Sequence, residues 1–331
     1  MSTQELFLKL LSFRSITPDD DGAFAFIKGY LSDFEVIEVN KEGVKNLFLY
    51  KRFGEGNHLC FAGHIDVVPP GEGWESDPFV PRIKEGVVYA RGTQDMKSGV
   101  CAFLKACKET THYNGTLSIL LTSDEEGEAK YGTVEMLQYL KAINFLPDCA
   151  IVAEPTSEQV FGDAIKVGRR GSINGVIEIF GKQGHAAYPS KAINPVHQIA
   201  PLLSALAGKR LDEGDASFEP SQMVITDIRG GMEVTNVTPG KLKIMFNVRN
   251  STLTSVEDIR IYVEQTLMGL EYALTFSRSA KPFVTNAEAS IVKAVEKSLL
   301  HVKGIHPKRS TAGGTSDARF FGEFGIETIE C

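Results

Sequence analysis

Residues 58–66, with the sequence HLCFAGHID, combine a short apolar run with a histidine and an aspartate at its end. The run predicts a buried strand, and the polar pair comes where that strand would leave its sheet. Runs of the same character occur at 117–121 and 149–152, each followed by acidic residues. The intervening stretches 98–110 and 134–143 have helical spacing. Strands that alternate with helices predict an α/β fold with a largely parallel sheet.

The same patterns predict further elements on both sides of these strands. They comprise helices at 5–11, 23–32 and 288–300 and strands at 34–39, 46–50 and 87–90. Near residue 170 the pattern changes to alternating strands at 171–181, 223–228 and 241–247, with helices at 195–206 and 256–267. We therefore predict a small α+β domain, 171–282, inserted into a larger domain formed by 1–170 and 283–331.

The composition excludes several classes of protein. The chain has 331 residues, 43% of them hydrophobic, and its 35 basic and 42 acidic residues give a net charge of −7. It has no basic stripe of the kind that binds nucleic acid, and no apolar run long enough to cross a membrane. Five dispersed cysteines and an N-terminus without an apolar leader favour reduced thiols in the cytoplasm.

Acidic and histidine residues follow several predicted strands or the turns beyond them. They are His64, Asp66, Asp95, Glu125, Glu126 and Glu154. Singly, such residues are usually hydrogen-bonded or solvated in loops. Together they would meet at one edge of the sheet, because the carboxyl ends of parallel strands share an edge. Several carboxylates repel one another unless a cation lies between them. Mixed imidazole and carboxylate ligands favour zinc, with manganese or cobalt as alternatives.

Five motifs resemble those of the M20 family of zinc aminoacylases and peptidases. They are 61–69 FAGHIDVVP, 91–97 RGTQDMK, 122–127 TSDEEG, 153–156 AEPT and 184–189 GHAAYP. They occur in the order of the family and extend over much of the chain. The resemblance implies a zinc-peptidase-like catalytic domain with an inserted dimerisation domain, and hydrolysis of a linear amide.

The resemblance also implies roles for the acidic residues and His64. His64, Asp95 and Glu154 would hold one zinc ion, and Asp95 would bridge to a second ion bound by Glu126. Glu125 would be the general base. Asp66 lies two residues from His64 on the same face of a strand, so we expect its carboxylate to accept the second imidazole N–H.

Three other motifs are most similar to family members that remove succinate from N-succinyl-LL-2,6-diaminopimelate, in lysine and peptidoglycan synthesis. They are 167–172 VGRRGS, 235–239 TNVTP and 313–320 GGTSDARF. This likeness implies a homodimer in which His185 of one subunit stabilises the oxyanion in the site of the other. The substrate would be a small succinylated amino acid, and an arginine fork would bind its carboxylate. The implied substrate contacts are Arg169, Ser172, Tyr188, Asn236, Arg249, Gly314 and Thr315.

The sequence departs from the family pattern near its C-terminus. The pattern has another histidine ligand after the Gly-Gly-Thr-Ser-Asp segment, whereas no histidine follows His306 here. We therefore expect the C-terminal part of the catalytic domain to be incomplete. Of the two zinc ions, the second would bind weakly, and this chain would have reduced activity or none.

Three functions stay open from the sequence. Besides desuccinylation, they are a sister activity, such as acetylornithine deacetylation or dipeptide hydrolysis, and a non-catalytic binding role. An acetyl group has no carboxylate for Arg169 or Arg249 to bind. A pure binding protein would need neither the base Glu125 nor the orienting Asp66.

Overall fold

The computed structural model describes residues 1–277 and 280–331. Its helices are α1 (Thr3–Leu11), α2 (Ala23–Tyr30), α3 (Ser98–Glu109), α4 (Thr133–Ala142), α5 (Pro195–Ile199), α6 (Leu203–Leu206), α7 (Val256–Thr266), α8 (Ser290–Lys303) and α9 (Ala318–Glu323). Its strands are β1 (Glu35–Glu38), β2 (Asn46–Arg52), β3 (His58–His64), β4 (Arg82–Lys84), β5 (Val87–Tyr89), β6 (Thr116–Thr122), β7 (Cys149–Val152), β8 (Ala164–Lys166), β9 (Gly168–Arg169), β10 (Ile173–Phe180), β11 (Gly184–His185), β12 (Gln222–Gly230), β13 (Val237–Thr238), β14 (Lys241–Arg249), β15 (Tyr272–Phe276), β16 (Phe283–Val284), β17 (Lys308–Ser310) and β18 (Glu327–Glu330).

The chain divides into two compact units. The first contains Met1–Gly168, Thr285–Ser310 and Ser316–Cys331, and the second contains Arg169–Val284 and Thr311–Thr315. The borders predicted near 170 and 282 lie within two residues of these. The segment Thr311–Thr315 differs, because we assigned it to the catalytic domain and it groups with the second unit.

The first unit is built on an eight-stranded sheet of order β1-β2-β6-β3-β7-β18-β8-β17. Four of its pairings are parallel (β6 with β3, β3 with β7, β7 with β18, β8 with β17), and the other three are antiparallel. Every residue of β6 is buried. A strand that is covered on both faces favours a continuous apolar run over alternating apolar and polar residues. This is why the sequence pattern predicts β6 correctly. The predicted α/β class, with its mixed, largely parallel sheet, is confirmed.

The second unit has an antiparallel sheet of order β12-β14-β10-β15. Strand β10 alternates buried and more exposed residues, as the sequence pattern predicts. Its buried residues form a core with apolar side chains of β14, α5 and α7, including Ile177, Ile244, Ile199 and Val263. This arrangement is the α+β module expected for the insert.

One predicted helix is wrong. The sequence pattern indicated a single helix over 195–206, but the structure has two short helices, Pro195–Ile199 and Leu203–Leu206. Pro201 lies between them. Proline cannot donate a backbone hydrogen bond, and its ring clashes with the carbonyl four residues earlier, so the helix breaks there. Within the described ranges, no helix combines the length and apolar character that crossing a bilayer demands.

Helix α3 packs directly against the segment that follows β7. A Cβ added at Gly99 would lie 2.3 Å from Ala153 Cβ and 2.6 Å from its carbonyl oxygen. Only a glycine at position 99 therefore allows α3 to pack this closely against Ala153. Ala153 directly precedes Glu154 in the chain.

We predict that Gly99→Ala lowers the free energy of unfolding by about 1–3 kcal/mol, because the helix must move away from backbone atoms. The matched control is Gly29→Ala in α2, where an added Cβ meets no atom within 4 Å. Alanine is the better helix former, so this control should be neutral or stabilising by up to about 1 kcal/mol. Urea unfolding of both variants is the measurement, and equal effects would contradict the packing argument.

Candidate metal centre and active site

Three neighbouring strands bring the polar residues to one edge of the sheet. Strand β3 lies between β6 and β7 and runs parallel to both. His64 is the last residue of β3. Glu125 and Glu126 follow the end of β6, and Glu154 follows β7. The parallel register therefore places all four at the same carboxyl edge.

The imidazole of His64 faces several carboxylates. Its Nε2 lies 3.1 Å from Asp95 Oδ1, 3.8 Å from Glu154 Oε1 and 4.0 Å from Glu125 Oε2. Ligand atoms of His64, Asp95 and Glu126 all lie within 4.8 Å of one another, close enough to share a metal ion. The acidic residues therefore do lie around His64 at this edge of the sheet, as the strand pattern predicts.

Asp66 orients its neighbours differently from our expectation. His64 Nδ1 donates to the carbonyl oxygen of Asp66 at 2.9 Å, whereas the carboxylate oxygen Oδ1 lies 3.6 Å away. The buried carboxylate instead accepts from the backbone amides of Glu125, at 3.4 Å, and Glu126, at 3.1 Å. It therefore stabilises the turn that carries the two glutamates, and the main chain orients the imidazole.

Asp95 lies in a turn, Thr93–Lys97, whose backbone leaves helical geometry at Asp95 (φ −115°, ψ 104°). Its side chain is 54% exposed, while Met96 is buried beneath it. The sulfur of Met96 accepts from the backbone amide of His64 at 3.3 Å. A Cβ at Gly63 would lie 2.5 Å from Met96 Cε, so a larger residue there would require the end of the Met96 side chain to shift.

Lys97 anchors the same turn from the other side. Its side chain is fully buried, and Nζ donates to the carbonyl oxygens of Leu10, at 3.2 Å, and Phe13, at 2.9 Å. Burial lowers its pKa to about 8. Sequence reasoning assigned Lys97 no role. The residue stands in the quoted 91–97 motif, but its partners at the end of α1 become visible only in the fold.

Burial and charge shift the pKa values of this site strongly. Burial, with the nearby charges of Asp317 and Glu154, raises the pKa of Glu125 to about 9. Burial opposes protonation of His64, but its hydrogen bond to Asp95 and the carboxylates around it raise its pKa well above the usual value. Asp317, buried and also missed as a site residue, has a raised pKa because of its burial. It too belongs to a quoted motif, 313–320.

The donor set fits a divalent cation. Without one, the ionised carboxylates repel one another, and protons must stay in the site to limit that repulsion. One neutral imidazole with carboxylate oxygens is a ligand set that zinc accepts, and manganese or cobalt can also use it.

Two groups of predicted substrate contacts are assembled inside the second unit. Buried Arg169 donates from Nη1 to the carbonyl oxygen of Ala312 at 3.2 Å, which places it against the loop that contains Gly314 and Thr315. Gly313 has φ +111°, and an added Cβ there would lie 2.3 Å from Arg169 Nη1. This group therefore depends on a glycine.

The second group surrounds His185. The His185 and Tyr188 rings lie 5.9 Å apart, and the carbonyl oxygen of Asn236 accepts from the amide of Ala186. His185 is exposed, and its Nδ1 accepts from the amide of Ala187 at 3.1 Å.

The two remaining predicted contacts lie on or beside the antiparallel sheet. Ser172 Oγ accepts from Asn247 Nδ2 at 3.0 Å, and half-buried Arg249 ends β14. The roles of all these residues in substrate binding stay predictions.

A family model described as peptidase family M20/M25/M40 matches residues 60–330. The chain belongs to this family. Proteins named succinyl-diaminopimelate desuccinylase are similar to it over its full length. The protein from Nitratiruptor is 62% identical, with 91% of its own length covered, and that from Sulfurovum is 64% identical, with 90% covered. The resemblance drawn from the sequence motifs is confirmed.

Solved structures of M20-type fold agree at the level of architecture. An M20 family metallo-carboxypeptidase from Sulfolobus solfataricus superposes with a TM-score of 0.81 at 16% identity, covering 100% of this chain and 91% of its own. The aminopeptidase PepT from Bacillus cereus gives 0.80 at 19% identity, covering 100% and 90%. At these identities the likeness shows the fold. The M20 metallopeptidase fold implies use of a divalent metal, which the donor set described above fits.

The raised pKa of Glu125 predicts how the cation-free protein responds to pH. A carboxyl group whose pKa rises from 4.5 unfolded to about 9 folded holds its proton preferentially in the folded state. It stabilises the fold at low pH, and this stabilisation is lost as pH rises from about 5 through 9. Glu125→Gln, which does not titrate, should flatten this decline.

The measurement is thermal unfolding of chelator-treated protein between pH 5 and 9. Glu128→Gln, at an exposed position in the same loop, is the matched control and should keep the wild-type slope. An unchanged slope in Glu125→Gln would show that Glu125 titrates normally.

Proposed function

We propose that this chain hydrolyses the amide of N-succinyl-LL-2,6-diaminopimelate to succinate and LL-2,6-diaminopimelate. The observation that carries the proposal is the carboxylate of Glu125, 4.0 Å from the imidazole of His64 and beside the candidate metal ligands. It occurs in a chain at least 60% identical to several relatives named as desuccinylases. The function expected from the sequence motifs and the names of these relatives agree.

His64, Asp95, Glu126 and Glu154 would hold the metal, which we propose to be zinc, replaceable by cobalt or manganese. The family arrangement has two ions per subunit, and the second would be bound weakly or not at all here, because no histidine ligand follows His306. When bound, such ions polarise a carbonyl group and make water acidic enough to attack it near neutral pH. Asp95 would contribute to both ions, as the family resemblance implies; its carboxylate is half exposed and faces His64.

Glu125 is the general base in this proposal. Its carboxylate accepts a proton from water as the water oxygen bonds to the amide carbon. The same carboxyl group then donates that proton to the amide nitrogen as the C–N bond breaks, which releases succinate and the free amine. Asp66 keeps Glu125 in place through the backbone amides of the following turn.

We propose that the second unit supplies substrate contacts and the dimer interface. Arg169 and Arg249 would bind substrate carboxylate, with Ser172, Tyr188, Asn236, Gly314 and Thr315 as supporting contacts. His185 of the partner subunit would donate to the developing oxyanion. Strand β12 is an edge strand with exposed Val224 and Ile228, which suits pairing with a second copy.

A cytoplasmic location is part of the proposal. The five cysteines are all free thiols, and three of them (Cys60, Cys101 and Cys107) are buried. Such thiols suit a reducing compartment.

The first test compares hydrolysis of succinyl-diaminopimelate and acetylornithine by purified protein with added zinc. We expect turnover to be selective for desuccinylation, at a reduced rate because the second ion lacks its histidine ligand. Glu125→Gln should lower kcat by a further factor of about 10²–10⁴ because the base is lost. Glu128→Gln, in the same loop, should retain wild-type activity. Selective turnover of acetylornithine would overturn the substrate, and turnover in Glu125→Gln would overturn the base.

The second test addresses the dimer. His185→Ala and Glu125→Gln subunits should each be inactive alone. If His185 completes the partner's site, random subunit exchange makes half of the dimers mixed, each with one intact site, and restores about a quarter of wild-type activity. A mixture that stays inactive, although sedimentation shows that subunits exchange, would place His185 outside the partner's site.

A further inference from the structure

A cleft of about 690 Å³ opens beside the candidate metal centre, and its lining residues all belong to the first unit. Asp95 and Glu126 form part of its wall, so a molecule in the cleft reaches the edge of the reaction site. The wall also contains Val68, Val88, Thr93 and Arg91. None of the substrate contacts implied by the family resemblance lies among these residues.

Arg91 is held in a fixed orientation at this wall. Its Nη2 donates to the carbonyl oxygen of Pro70 at 2.8 Å. Its guanidinium carbon lies 5.3 Å from the centre of the Trp74 ring, and Trp74 Nε1 donates to the same Pro70 carbonyl at 2.7 Å. A guanidinium held beside an aromatic ring and by one hydrogen bond loses little further freedom when it binds an anion.

The donors of Arg91 are largely unused by the chain. The side chain of arginine has five N–H donors. Among the described residues, the one hydrogen bond that the Arg91 side chain donates is to the carbonyl oxygen of Pro70. Its Nε is buried without a hydrogen-bond partner in the same set of residues. Planar guanidinium donors match the two oxygens of a carboxylate.

Charge in the cleft points to the same class of ligand. Arg91 is the basic residue among the lining residues, and Asp95 and Glu126 are the acidic ones. The proposed substrate has three carboxylates, and any charge of Asp95 and Glu126 that a bound cation leaves uncompensated would repel them. A cationic group in the wall of the cleft offsets that repulsion and favours binding of a carboxylate beside it.

We propose that Arg91 binds a carboxylate of the substrate in this cleft and so contributes to substrate selection. The inference rests on the proposed function. The carboxylate belongs either to the succinyl group or to the diaminopimelate part, and the two sources are distinguished by the substrates used. The competing explanation is that Arg91 only ties the loop at Pro70 to the sheet.

The experiment measures kcat and KM for three amides with wild type, Arg91→Gln and Arg91→Lys. The amides are succinyl-diaminopimelate, butyryl-diaminopimelate, which lacks the succinyl carboxylate, and N-succinyl-1,5-diaminopentane, which lacks both diaminopimelate carboxylates. Arg91→Gln should lower kcat/KM for succinyl-diaminopimelate by about 10- to 100-fold, mainly through KM, as expected for a charged hydrogen bond. Arg91→Lys should fall between, because it keeps the charge but not the fork.

The substrate that lacks the bound carboxylate should be turned over equally by wild type and Arg91→Gln, which identifies the source. An equal loss for all three amides, or no loss, would overturn the proposal, since a structural role does not distinguish substrates. Arg82→Gln, at an exposed position on β4, is the matched control and should behave as wild type. Trp74→Leu keeps Arg91 and should give a smaller loss with the same substrate pattern, so the proposal stays testable if Arg91→Gln folds poorly.

Wild-type turnover and the variant pattern answer separate questions. If wild type hydrolyses acetylornithine but not succinyl-diaminopimelate, the proposed function fails, whereas no turnover of either amide is the inactivity expected when the second ion lacks its histidine ligand. Calorimetric binding of succinate and of diaminopimelate to zinc-loaded wild type and Arg91→Gln then tests Arg91 directly. Weaker binding of either compound by the variant supports the carboxylate site, and equal binding of both overturns it.

Discussion

The structure depends on one electrostatic constraint, which is the burial of an imidazole among several carboxylates. His64 is almost fully buried, and the carboxylates of Asp95, Glu125 and Glu154 lie within 4.0 Å of its Nε2. Several carboxylates gathered around one buried imidazole cannot all be ionised in a poorly solvated site without a compensating cation. The raised pKa of Glu125 reflects this constraint in the cation-free protein. The same excess of negative charge makes the site suitable for divalent metal.

The surrounding fold keeps these groups in place before any ligand binds. Asp66 accepts two backbone amides of the turn after β6, and its carbonyl oxygen orients His64. On the other side, Met96 and Lys97 are buried under the turn that carries Asp95. Each of these contacts satisfies a buried polar group, so the site is organised by the same hydrogen bonds that stabilise the sheet edge.

The substrate we propose has three carboxylates, and the arginines that we propose to bind them belong to different units. In the first unit, Arg91 is oriented by Pro70 and Trp74 at the wall of the cleft. In the second unit, Arg169 is buried against the 311–315 loop. A guanidinium that is already oriented pays less conformational entropy on binding than a mobile surface lysine. Recognition of the acyl group and of the amino-acid part can therefore be divided between different arginines.

The sequence by itself determined the three strands that carry the site, because β3, β6 and β7 are apolar runs followed by acidic or histidine residues. It also determined the family and the identity of the residues that meet at the sheet edge. Sequence reasoning failed where the outcome depends on distant parts of the chain. Strand β18, Glu327–Glu330, lies inside the sheet although half of its residues are acidic.

The burial of β18 is possible because Thr285 and Ser316 bond to its Thr328 and Glu330. The burial of Lys97 likewise requires carbonyl groups at the end of α1. Local patterns report how a segment distributes its apolar residues, and this sufficed for strands covered on both faces. Only the tertiary structure decided which polar residues could be buried, because their hydrogen-bond partners are separated from them in sequence and come together only in the folded chain.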